Sequence, residues 1–314
     1  MNQFFTEKDV IDFSALEKEN EVKQTMKPAN IYVRALIDEI ENPIPSNHRY
    51  MPWMPSHSVL QFRPGEVTIW GGENGGGKSL VTGQVAMSLA EQGDRVCIAS
   101  FEMKPRRTMG RMGRQFTGFV HNDMLFNSYP EQKQAVIAAY EEFETWTKGK
   151  LWLYNKQGTV QWPNVVAMAK YAARELQCKH VFIDNLGKCV QGEDDYNGQK
   201  EFIDKVCAVA RDEDIHIHVV HHVRKPEKEG ARGSKYSFKG TGAITDQPDN
   251  VIIVWRNKAK EHDPSGKHKD EPDTMLIVDK QRNGEGTEGD IWLWYLKESQ
   301  QFVSGADEQM MRFS

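Results

Sequence analysis

The sequence predicts an α/β fold: a mostly parallel twisted sheet with helices on both faces and an antiparallel C-terminal extension. From about residue 60, five apolar strand-like runs alternate with helical segments. This alternation is typical of parallel strands joined by crossover helices. After residue 248 the rhythm changes to three apolar runs separated by polar loops, which predicts antiparallel strands that extend the same sheet.

The elements follow from these runs in chain order. The early strands are predicted at EVTIWG, RVCIASF, LWLYN, HVFIDN and IHIHVVHH, and the late strands at NVIIVW, TMLIVDK and DIWLWYL. Helices are predicted near 77–92, 131–146, 162–177 and 198–212. The Lys/Asp/Pro-rich stretch 257–273 is interpreted as an exposed loop of the same domain.

Two segments precede this domain, which we place at residues 51–314. Residues 1–27 are polar and charged with little apolar periodicity, so we expect a mobile or partner-dependent arm. Residues 28–50 contain apolar residues at helical spacing, from Ile31 to Ile40, and then Pro43. This pattern predicts a short amphipathic helix able to pack on its own domain or on a neighbouring subunit.

Composition predicts a cytoplasmic protein without a membrane span. Charged residues make up 27% of the 314 residues, and no apolar run approaches the roughly 20 residues of a span. The first residues, MNQFFTEKDVIDF, are acidic and polar, unlike a signal peptide. The four cysteines form no C-x-x-C pair and are expected to be buried thiols. Because the net charge is −5, a nucleic acid would need a local basic patch.

The stretch GGENGGGKSL, residues 71–80, lies between a predicted strand and a predicted helix. Gly72, Gly77, Lys78 and Ser79 fit the P-loop pattern G-x-x-x-x-G-K-[ST]. Glycines let several backbone N–H groups converge on phosphate oxygens at a helix N-terminus, the lysine adds charge on the outer phosphates, and the serine hydroxyl can ligate Mg²⁺.

The alternative for this stretch is a glycine-rich turn with a chance lysine. The flanking strand and helix favour a site for ATP, or another nucleoside triphosphate, with Mg²⁺. The predicted nucleotide-binding residues of the loop are Gly72, Glu73, Asn74, Gly75, Gly76, Gly77, Lys78, Ser79 and Leu80.

Two acidic residues at strand ends are candidates for the chemistry. Asp184 ends the run HVFID and is expected on the magnesium side, acting through a bound water. Since Asn185 follows it, there is no adjacent acid pair. Glu102 closes RVCIASF, at an edge expected beside the end of the P-loop strand, where it would polarise the attacking water. Alternatively, Asp184 caps the next loop and Glu102 is a solvated loop residue.

A histidine and a basic segment follow the fifth run. His222 stands at the tip of the strand expected next to that of Asp184, where it could sense the terminal phosphate; a hydrogen-bonded strand-end histidine is the alternative. The stretch from Arg224 to Lys239 contains six basic residues and two acidic ones. We expect this segment to bind a nucleic-acid backbone, against the alternative of a solvated face. Its predicted DNA-binding residues are Arg224, Lys225, Lys228, Arg232, Lys235, Lys239 and Gly240.

Together these stretches resemble the RecA-like helicase domain of DnaB-type replicative helicases, in particular the branch of bacteriophage primase-helicases and their mitochondrial relative. The matching stretches are GGENGGGKS, ASFEM, VFIDN, VVHHVRKP, FKGTGAITDQPDNVIIVWRN and VDKQRNGEGTEG, which cover roughly residues 60 to 303 in order and spacing. A P-loop alone is weak evidence for function, whereas this ordered set is specific.

The resemblance implies a homo-oligomeric ring, usually a hexamer, that encircles single-stranded DNA, hydrolyses nucleotide between subunits and moves 5′ to 3′. By position, Glu102 matches the family's base, Asp184 its second acid and His222 its phosphate sensor. The helix near 30–42 resembles the linker helix that docks on the adjacent subunit. No zinc-finger or primase-like region is seen ahead of the domain, so a separate primase, working with a DNA polymerase, is expected.

Four further residues gain a role from the resemblance alone. Lys280 and Arg282 match the basic pair that reaches into the neighbouring subunit's site. Without the family they are two cations at a strand end, for which a surface salt bridge is the default. Arg256 and Tyr295 match positions that hold the nucleotide base, with a sheet-face aromatic as the plain alternative for Tyr295.

Two other functions share part of this pattern. A RecA-like recombinase or switch ATPase would act as a filament or ring without unwinding; the KQR strand end and the FKGTGAITDQ stretch favour the helicase over it. A non-catalytic loader subunit would use nucleotide only for assembly. The presence of Lys78, Glu102 and Arg282 argues against this third function.

Overall fold

A computed structural model of the chain describes residues 26–42, 47–119, 130–192, 194–224, 230–283 and 288–314. The chain divides into two units, with the boundary between Asn47 and His48. In the first unit, helix α1 spans Ala29–Glu41, which confirms the helix predicted there. Its large apolar side chains are exposed: Ile31, Tyr32, Val33, Leu36, Ile37 and Ile40. The predicted N-terminal arm lies outside the described residues, apart from Met26 and Lys27.

The second unit contains every strand and helix predicted for it. The strands are β1 (Val67–Gly72), β2 (Val96–Ser100), β3 (Leu151–Leu153), β4 (His180–Asp184), β5 (His216–Val220), β6 (Asn250–Arg256), β7 (Thr274–Gln281), β8 (Gly289–Leu296) and β9 (Gln301–Val303). The helices are α2 (Lys78–Glu91), α3 (Pro105–Thr117), α4 (Pro130–Thr147), α5 (Trp162–Arg174), α6 (Tyr196–Asp212), α7 (Ala243–Asp246) and α8 (Lys258–Glu261). Strand β9 and helices α3, α7 and α8 are additional to the predicted set.

The strands form one sheet in the order β3-β2-β4-β5-β1-β6-β7-β8-β9. The first six in this order are parallel, and β7, β8 and β9 each run antiparallel to the strand before, which confirms the predicted fold class. The change to antiparallel pairing comes one strand later than predicted, because β6 pairs parallel with β1. The long connection over residues 221–249 brings the chain back across the sheet, as a parallel partner requires.

Helix α3 is missing from the predicted helices because glycines weaken its apolar pattern. It begins at Pro105, a favourable first helical residue. Gly110 and Gly113 then interrupt the run. A Cβ atom at Gly113 would lie 2.6 Å from the Tyr140 ring, so the missing side chain lets α4 pack closely on α3.

Apolar side chains cover both faces of the sheet. Phe101 and Phe202 belong to the core on one face, and Trp53 and Trp70 to the core on the other. All four cysteines are buried and unpaired, as predicted. Burial raises the pKa of the Cys97 thiol to about 12. None of the described helices is long and apolar enough to cross a membrane.

Three buried histidines lie side by side on β4 and β5. Trp70 Nε1 donates a hydrogen bond to Nδ1 of His218, at 3.2 Å. Nε2 of His218 must then carry the ring proton, and it donates to Nδ1 of His180 at 3.1 Å. His180 in turn donates from Nε2 to the Asp94 carboxylate at 3.2 Å. Both rings are satisfied in the neutral form.

The third histidine, His216, also has a hydrogen-bond partner for each ring nitrogen in its neutral form. Its Nδ1 donates to the Arg63 carbonyl at 2.7 Å, and its Nε2 accepts from the Thr68 hydroxyl at 2.8 Å. Burial is the largest cause that lowers the pKa of all three histidines, to about 3 for His216. The folded chain therefore resists protonation of this cluster.

We expect acid to destabilise the fold through this cluster. Above the ordinary histidine pKa of 6.5, folded and unfolded chains both hold neutral rings. Below it, the unfolded chain binds protons that the folded chain does not, so each histidine should lower the free energy of unfolding by up to about 1.4 kcal/mol per pH unit. Urea unfolding between about pH 7.5 and about pH 5 measures this loss. His218→Gln should weaken the pH dependence and the exposed His262→Ala should not; a flat profile would contradict the prediction.

Candidate functional site

The carboxyl ends of β1, β2, β4 and β5 meet at one edge of the sheet, because these strands are parallel. The loop from β1 to α2 lies there. Gly75 and Gly77 in this loop have φ values of 74° and 87°, in the left-handed region that favours glycine. Helix α2 begins at Lys78 without a side-chain cap. The backbone N–H groups of Leu80 and Val81 donate to the Gly77 carbonyl, which leaves those of Lys78 and Ser79 facing an anion site at the helix N-terminus.

Lys78 is buried at the base of this loop. Its Nζ donates to the carbonyl oxygens of Gly72 and Glu73, both at 2.8 Å, and lies 3.2 Å from Nδ1 of His222. Burial lowers the pKa of Lys78 to about 8, against the opposing effect of nearby carboxylates. The ammonium thus lacks a direct anionic partner among the described residues, which the oxygens of a phosphate would supply.

Ser79 and Asp184 lie together, as the sequence predicts. The Ser79 hydroxyl donates to Oδ2 of Asp184 at 2.7 Å. Burial raises the pKa of Asp184, and the hydrogen bond from Ser79 opposes this shift. A hydroxyl and a carboxylate are hard oxygen ligands of the kind that Mg²⁺ takes, together with phosphate oxygens and water. In the described part of the chain, no group of three or more His, Cys, Asp and Glu side chains could hold a metal by itself.

Glu102 and His222 are joined by Asn185. Nδ2 of Asn185 donates to Oε1 of Glu102 at 2.6 Å and lies 3.0 Å from Nε2 of His222. The direct distance between His222 Nε2 and Glu102 Oε1 is 3.8 Å. Burial and the Lys78 charge lower the pKa of His222, while Glu102 opposes them. The P-loop lysine, the histidine and the glutamate thus form one continuous group.

The strand order corrects one expectation. Strand β5 separates β4 from β1, and β4 and β5 both separate β2 from β1, so Glu102 does not stand beside the end of the P-loop strand. The prediction that the His222 strand adjoins the Asp184 strand is confirmed, because β5 pairs with β4. Two side-chain contacts nevertheless connect these strand ends: Ser79, after β1, reaches Asp184 past β5, and Asn185 reaches Glu102 between the neighbouring strands β4 and β2.

The two residues expected around the nucleotide base lie near the loop. Arg256 donates from Nη1 to the Gly75 carbonyl at 2.9 Å and from Nη2 to Glu261 at 2.6 Å. The Tyr295 ring lies 5.2 Å from that of Phe302, centroid to centroid. Phe302 also approaches Gly77, where a Cβ atom would lie 3.6 Å from its ring. The base contact of Arg256 and Tyr295 stays a prediction.

The basic segment is partly described. Lys225 and Lys228 lie outside the described residues. The segment is fixed to His222, because the Lys239 backbone N–H donates to the His222 carbonyl at 3.2 Å. Arg224 is exposed, and its backbone N–H donates to the Ser237 carbonyl at 2.7 Å.

The basic side chains of this segment differ in their contacts. Arg232 forms a two-pronged ion pair with Asp290, at 2.6 and 2.7 Å, so its charge is balanced within the chain. Nζ of Lys235 lies 5.7 Å from the ring centre of Tyr236, whose side chain is 82% exposed. Gly240 has a left-handed φ of 94° beside Gln199. Lys235 and Tyr236 thus place a cation beside an exposed aromatic ring.

Lys280 lies at the opposite edge of the sheet, where the parallel strands begin, and is held within its own chain. It stands near the end of β7, which pairs with the start of β6. Its Nζ donates to three carbonyl oxygens, those of Thr245, Asp246 and Pro248, at 2.8, 2.6 and 2.7 Å. This ammonium therefore ties the end of α7 to β7, and reaching another subunit would require it to leave these contacts.

Arg282 is at the same edge and is more accessible. Its side chain is 45% exposed, and its Nη1 lies 3.4 Å from Oδ1 of Asp249. This long ion pair is the surface salt bridge that the sequence alone suggests in place of a role at the neighbouring subunit. Strand β1 runs from Val67, near this edge, to Gly72 at the P-loop, a span of about 17 Å at the usual rise per residue. The nucleotide edge of its own chain is thus out of reach for Arg282.

Asn185 is the residue of this site that the sequence pattern leaves without a role. Sequence reasoning notes it only because it replaces a second acid after Asp184. The signal is its position, since a polar residue directly after a strand-end carboxylate falls among the other strand ends. The structure places it at the centre of the group.

Comparison with known proteins agrees with this geometry. The family model of the DnaB-like helicase C-terminal domain matches residues 57–304. The solved ATPase domain of a phage helicase has a similar fold, with a TM-score of 0.70 at 14% identity over 89% of this chain and 99% of that one. A DnaB-like replicative helicase, solved in a study of its interactions with primase, also gives 0.70, at 16% identity over 93% of this chain and 71% of the other. The chain therefore belongs to the DnaB-like helicase family, and its main unit is the ATPase domain of an ATP-dependent DNA helicase.

Proposed function

We propose that the chain assembles into a ring, with six subunits as is usual for its family, that couples ATP hydrolysis to 5′-to-3′ movement on single-stranded DNA and to duplex unwinding. One observation carries the proposal. Lys78, Ser79 and Glu102 lie at one edge of the sheet, and Arg282 lies at the other. In a closed ring of identical subunits, each chain contacts the next through two different surfaces, and we infer that these two edges are those surfaces. Each interface would then complete a nucleotide site.

The triphosphate would bind on the first turn of α2. Lys78 would exchange the carbonyl oxygens of Gly72 and Glu73 for phosphate oxygens. Ser79 and Asp184 would hold Mg²⁺, which neutralises charge on the outer phosphates when it is bound. The hydroxyl and carboxylate of this pair already face each other, so small displacements suffice.

Glu102 would act as the general base. Its carboxylate is partly exposed, so water reaches it, and its Oε1 is oriented by the hydrogen bond from Asn185. In the reaction it takes a proton from the water that attacks the terminal phosphate. His222 would contact the same phosphate, and its backbone carbonyl accepts from Lys239. The state of the phosphate is thereby transmitted to the basic segment, which would hold the DNA backbone.

Unwinding of forked DNA tests this function directly. Purified chain with ATP and Mg²⁺ should hydrolyse ATP faster when single-stranded DNA is added and should separate a fork with a free 5′ tail on the encircled strand. A fork with only a 3′ tail should stay paired. Strand exchange without unwinding would indicate a recombinase instead. A separate primase and a DNA polymerase are the further partners that we propose for replication.

The basic segment should contribute salt-dependent, sequence-independent affinity for single-stranded DNA. Replacing Lys235 and Lys239 with alanine should weaken binding to all sequences alike and reduce the slope of log affinity against log salt by roughly 0.7 for each phosphate that is no longer neutralised. Fluorescence anisotropy across a salt series measures this slope. Arg232→Ala, which removes a cation already paired with Asp290, should reduce it less. An unchanged slope in the double variant would mean that the segment is only a solvated face.

A further inference from the structure

Asn185 occupies the point where the sensor and the base of the proposed site meet. Its side chain is 2% exposed and lies at the carboxyl end of β4, between β2 and β5. The amide Nδ2 has two N–H groups, and the structure provides an acceptor for each: Glu102 Oε1 at 2.6 Å and His222 Nε2 at 3.0 Å.

This pair of contacts favours one tautomer of His222. A neutral imidazole has one N–H donor and one acceptor nitrogen. A neutral ring can accept from only one of the two donors that face it, and the Asn185 amide, at 3.0 Å from Nε2, is nearer than the Lys78 ammonium, at 3.2 Å from Nδ1. When the amide donates to Nε2, the ring proton is on Nδ1. That N–H points to Nζ of Lys78, 3.2 Å away, and the Lys78 ammonium can only donate.

Two donors therefore face each other beside the P-loop. Without a ligand, His222 Nδ1 and Lys78 Nζ cannot satisfy one another, although Lys78 uses the carbonyls of Gly72 and Glu73. A phosphate oxygen would accept from both. The opposed donors thus mark the place where the terminal phosphate of a bound nucleotide fits.

We propose that Asn185 is a positioning residue that couples phosphate sensing to catalysis: its one amide group directs the donor of His222 to the phosphate and holds the Glu102 carboxylate for the attacking water. The inference rests on the proposed function. A shift of His222 towards or away from the phosphate moves its Nε2, and through the shared amide it changes the orientation of Glu102. Release of the phosphate after hydrolysis restores the opposed donors and disengages the base.

Asn185→Ala tests the proposal, with the wild-type chain and Glu102→Gln measured in parallel. We expect kcat for ATP hydrolysis to fall by a factor on the order of 10 to 100, as for a misplaced catalytic group, while nucleotide affinity stays close to that of the wild type. Affinity is measured with a fluorescent nucleotide. An unchanged kcat in Asn185→Ala would overturn the inference. Absence of hydrolysis by the wild-type chain would instead overturn the proposed function.

A matched control separates positioning from stability. Gln301, on β9, also has a fully buried side-chain amide, and its Nε2 donates to the Met311 carbonyl at 3.0 Å. Gln301→Ala should lower the free energy of unfolding as Asn185→Ala does, but it should keep kcat. An equal fall of kcat in both variants would show that removal of a buried amide is sufficient, and the proposal would fail.

Asn185→Asp tests the direction of the hydrogen bonds without a change of shape. The carboxylate repels Glu102, and it accepts from His222 Nε2, so the Nδ1 lone pair would face the phosphate. The loss in kcat should be at least as large as in Asn185→Ala, and wild-type activity would overturn the proposal. In a double-mutant cycle, His222→Ala with Asn185→Ala should lose less than the product of the single losses. A fully multiplicative loss would refute the coupling.

Discussion

Glu102→Gln should almost abolish ATP turnover while it leaves nucleotide binding intact. Glutamine has the same length and can still accept the hydrogen bond from Asn185, so the geometry of the site is preserved. It cannot take a proton from water. The expected fall in kcat is on the order of 10² or more, the loss typical of a positioned general base. Steady-state hydrolysis with saturating single-stranded DNA, alongside binding of a fluorescent nucleotide, measures both quantities.

Two further variants serve as controls for this result. Lys78→Ala should weaken nucleotide binding itself, because the proposed site uses the Lys78 ammonium as the cation beneath the phosphates. Glu175→Gln changes an exposed glutamate at the end of α5 and should alter neither binding nor turnover. If Glu102→Gln hydrolyses ATP at the wild-type rate, Glu102 is not the base, and another group must activate the water.

The residues at the nucleotide edge could be predicted from sequence because their geometry is local. A strand, a glycine-rich loop and a helix place Lys78 and Ser79 together by backbone conformation alone. Asp184 and Glu102 follow apolar runs, and the carboxyl ends of parallel strands meet at one edge whatever their order. The order itself, with β4 and β5 between β2 and β1, depends on pairings between distant segments, which no local pattern contains.

The roles of individual polar groups were less accessible to sequence reasoning. Counting charges gives the basic segment a net positive charge, but the partner of Arg232 is Asp290, 58 positions away. For Lys280 the sequence alone suggests a surface salt bridge, whereas three carbonyl oxygens of its own chain hold it. Asn185 gains its role only from the two side chains that converge on it. Such contacts depend on packing between elements rather than on spacing within one.

Arg282→Ala should be the most damaging change outside the nucleotide edge. An arginine supplied across an interface to the transferring phosphoryl group contributes about 10³ to 10⁵ in rate, because its charge lies where negative charge is redistributed in the transition state. Arg282 is partly exposed and is bound to its own chain only by a long contact with Asp249 and a 3.0 Å bond to the Asp246 carbonyl, among the side-chain contacts of the described residues. Hydrolysis should fall accordingly while nucleotide still binds. Arg174→Ala, which removes an exposed arginine on α5 paired with Glu213, should leave hydrolysis unchanged.

Mixing two inactive variants tests whether Arg282 acts in trans. Arg282→Ala keeps Glu102, and Glu102→Ala keeps Arg282, so in mixed rings some interfaces pair an intact Glu102 from one subunit with an intact Arg282 from the next. Those interfaces should hydrolyse ATP, because about 17 Å along β1 separates the two edges within one chain, and only a neighbour can bring them together. DNA-independent ATPase activity should therefore return at concentrations where subunits exchange. If mass spectrometry confirms mixed rings and no activity returns, Arg282 does not complete the site of its neighbour, or one inactive site silences the whole ring.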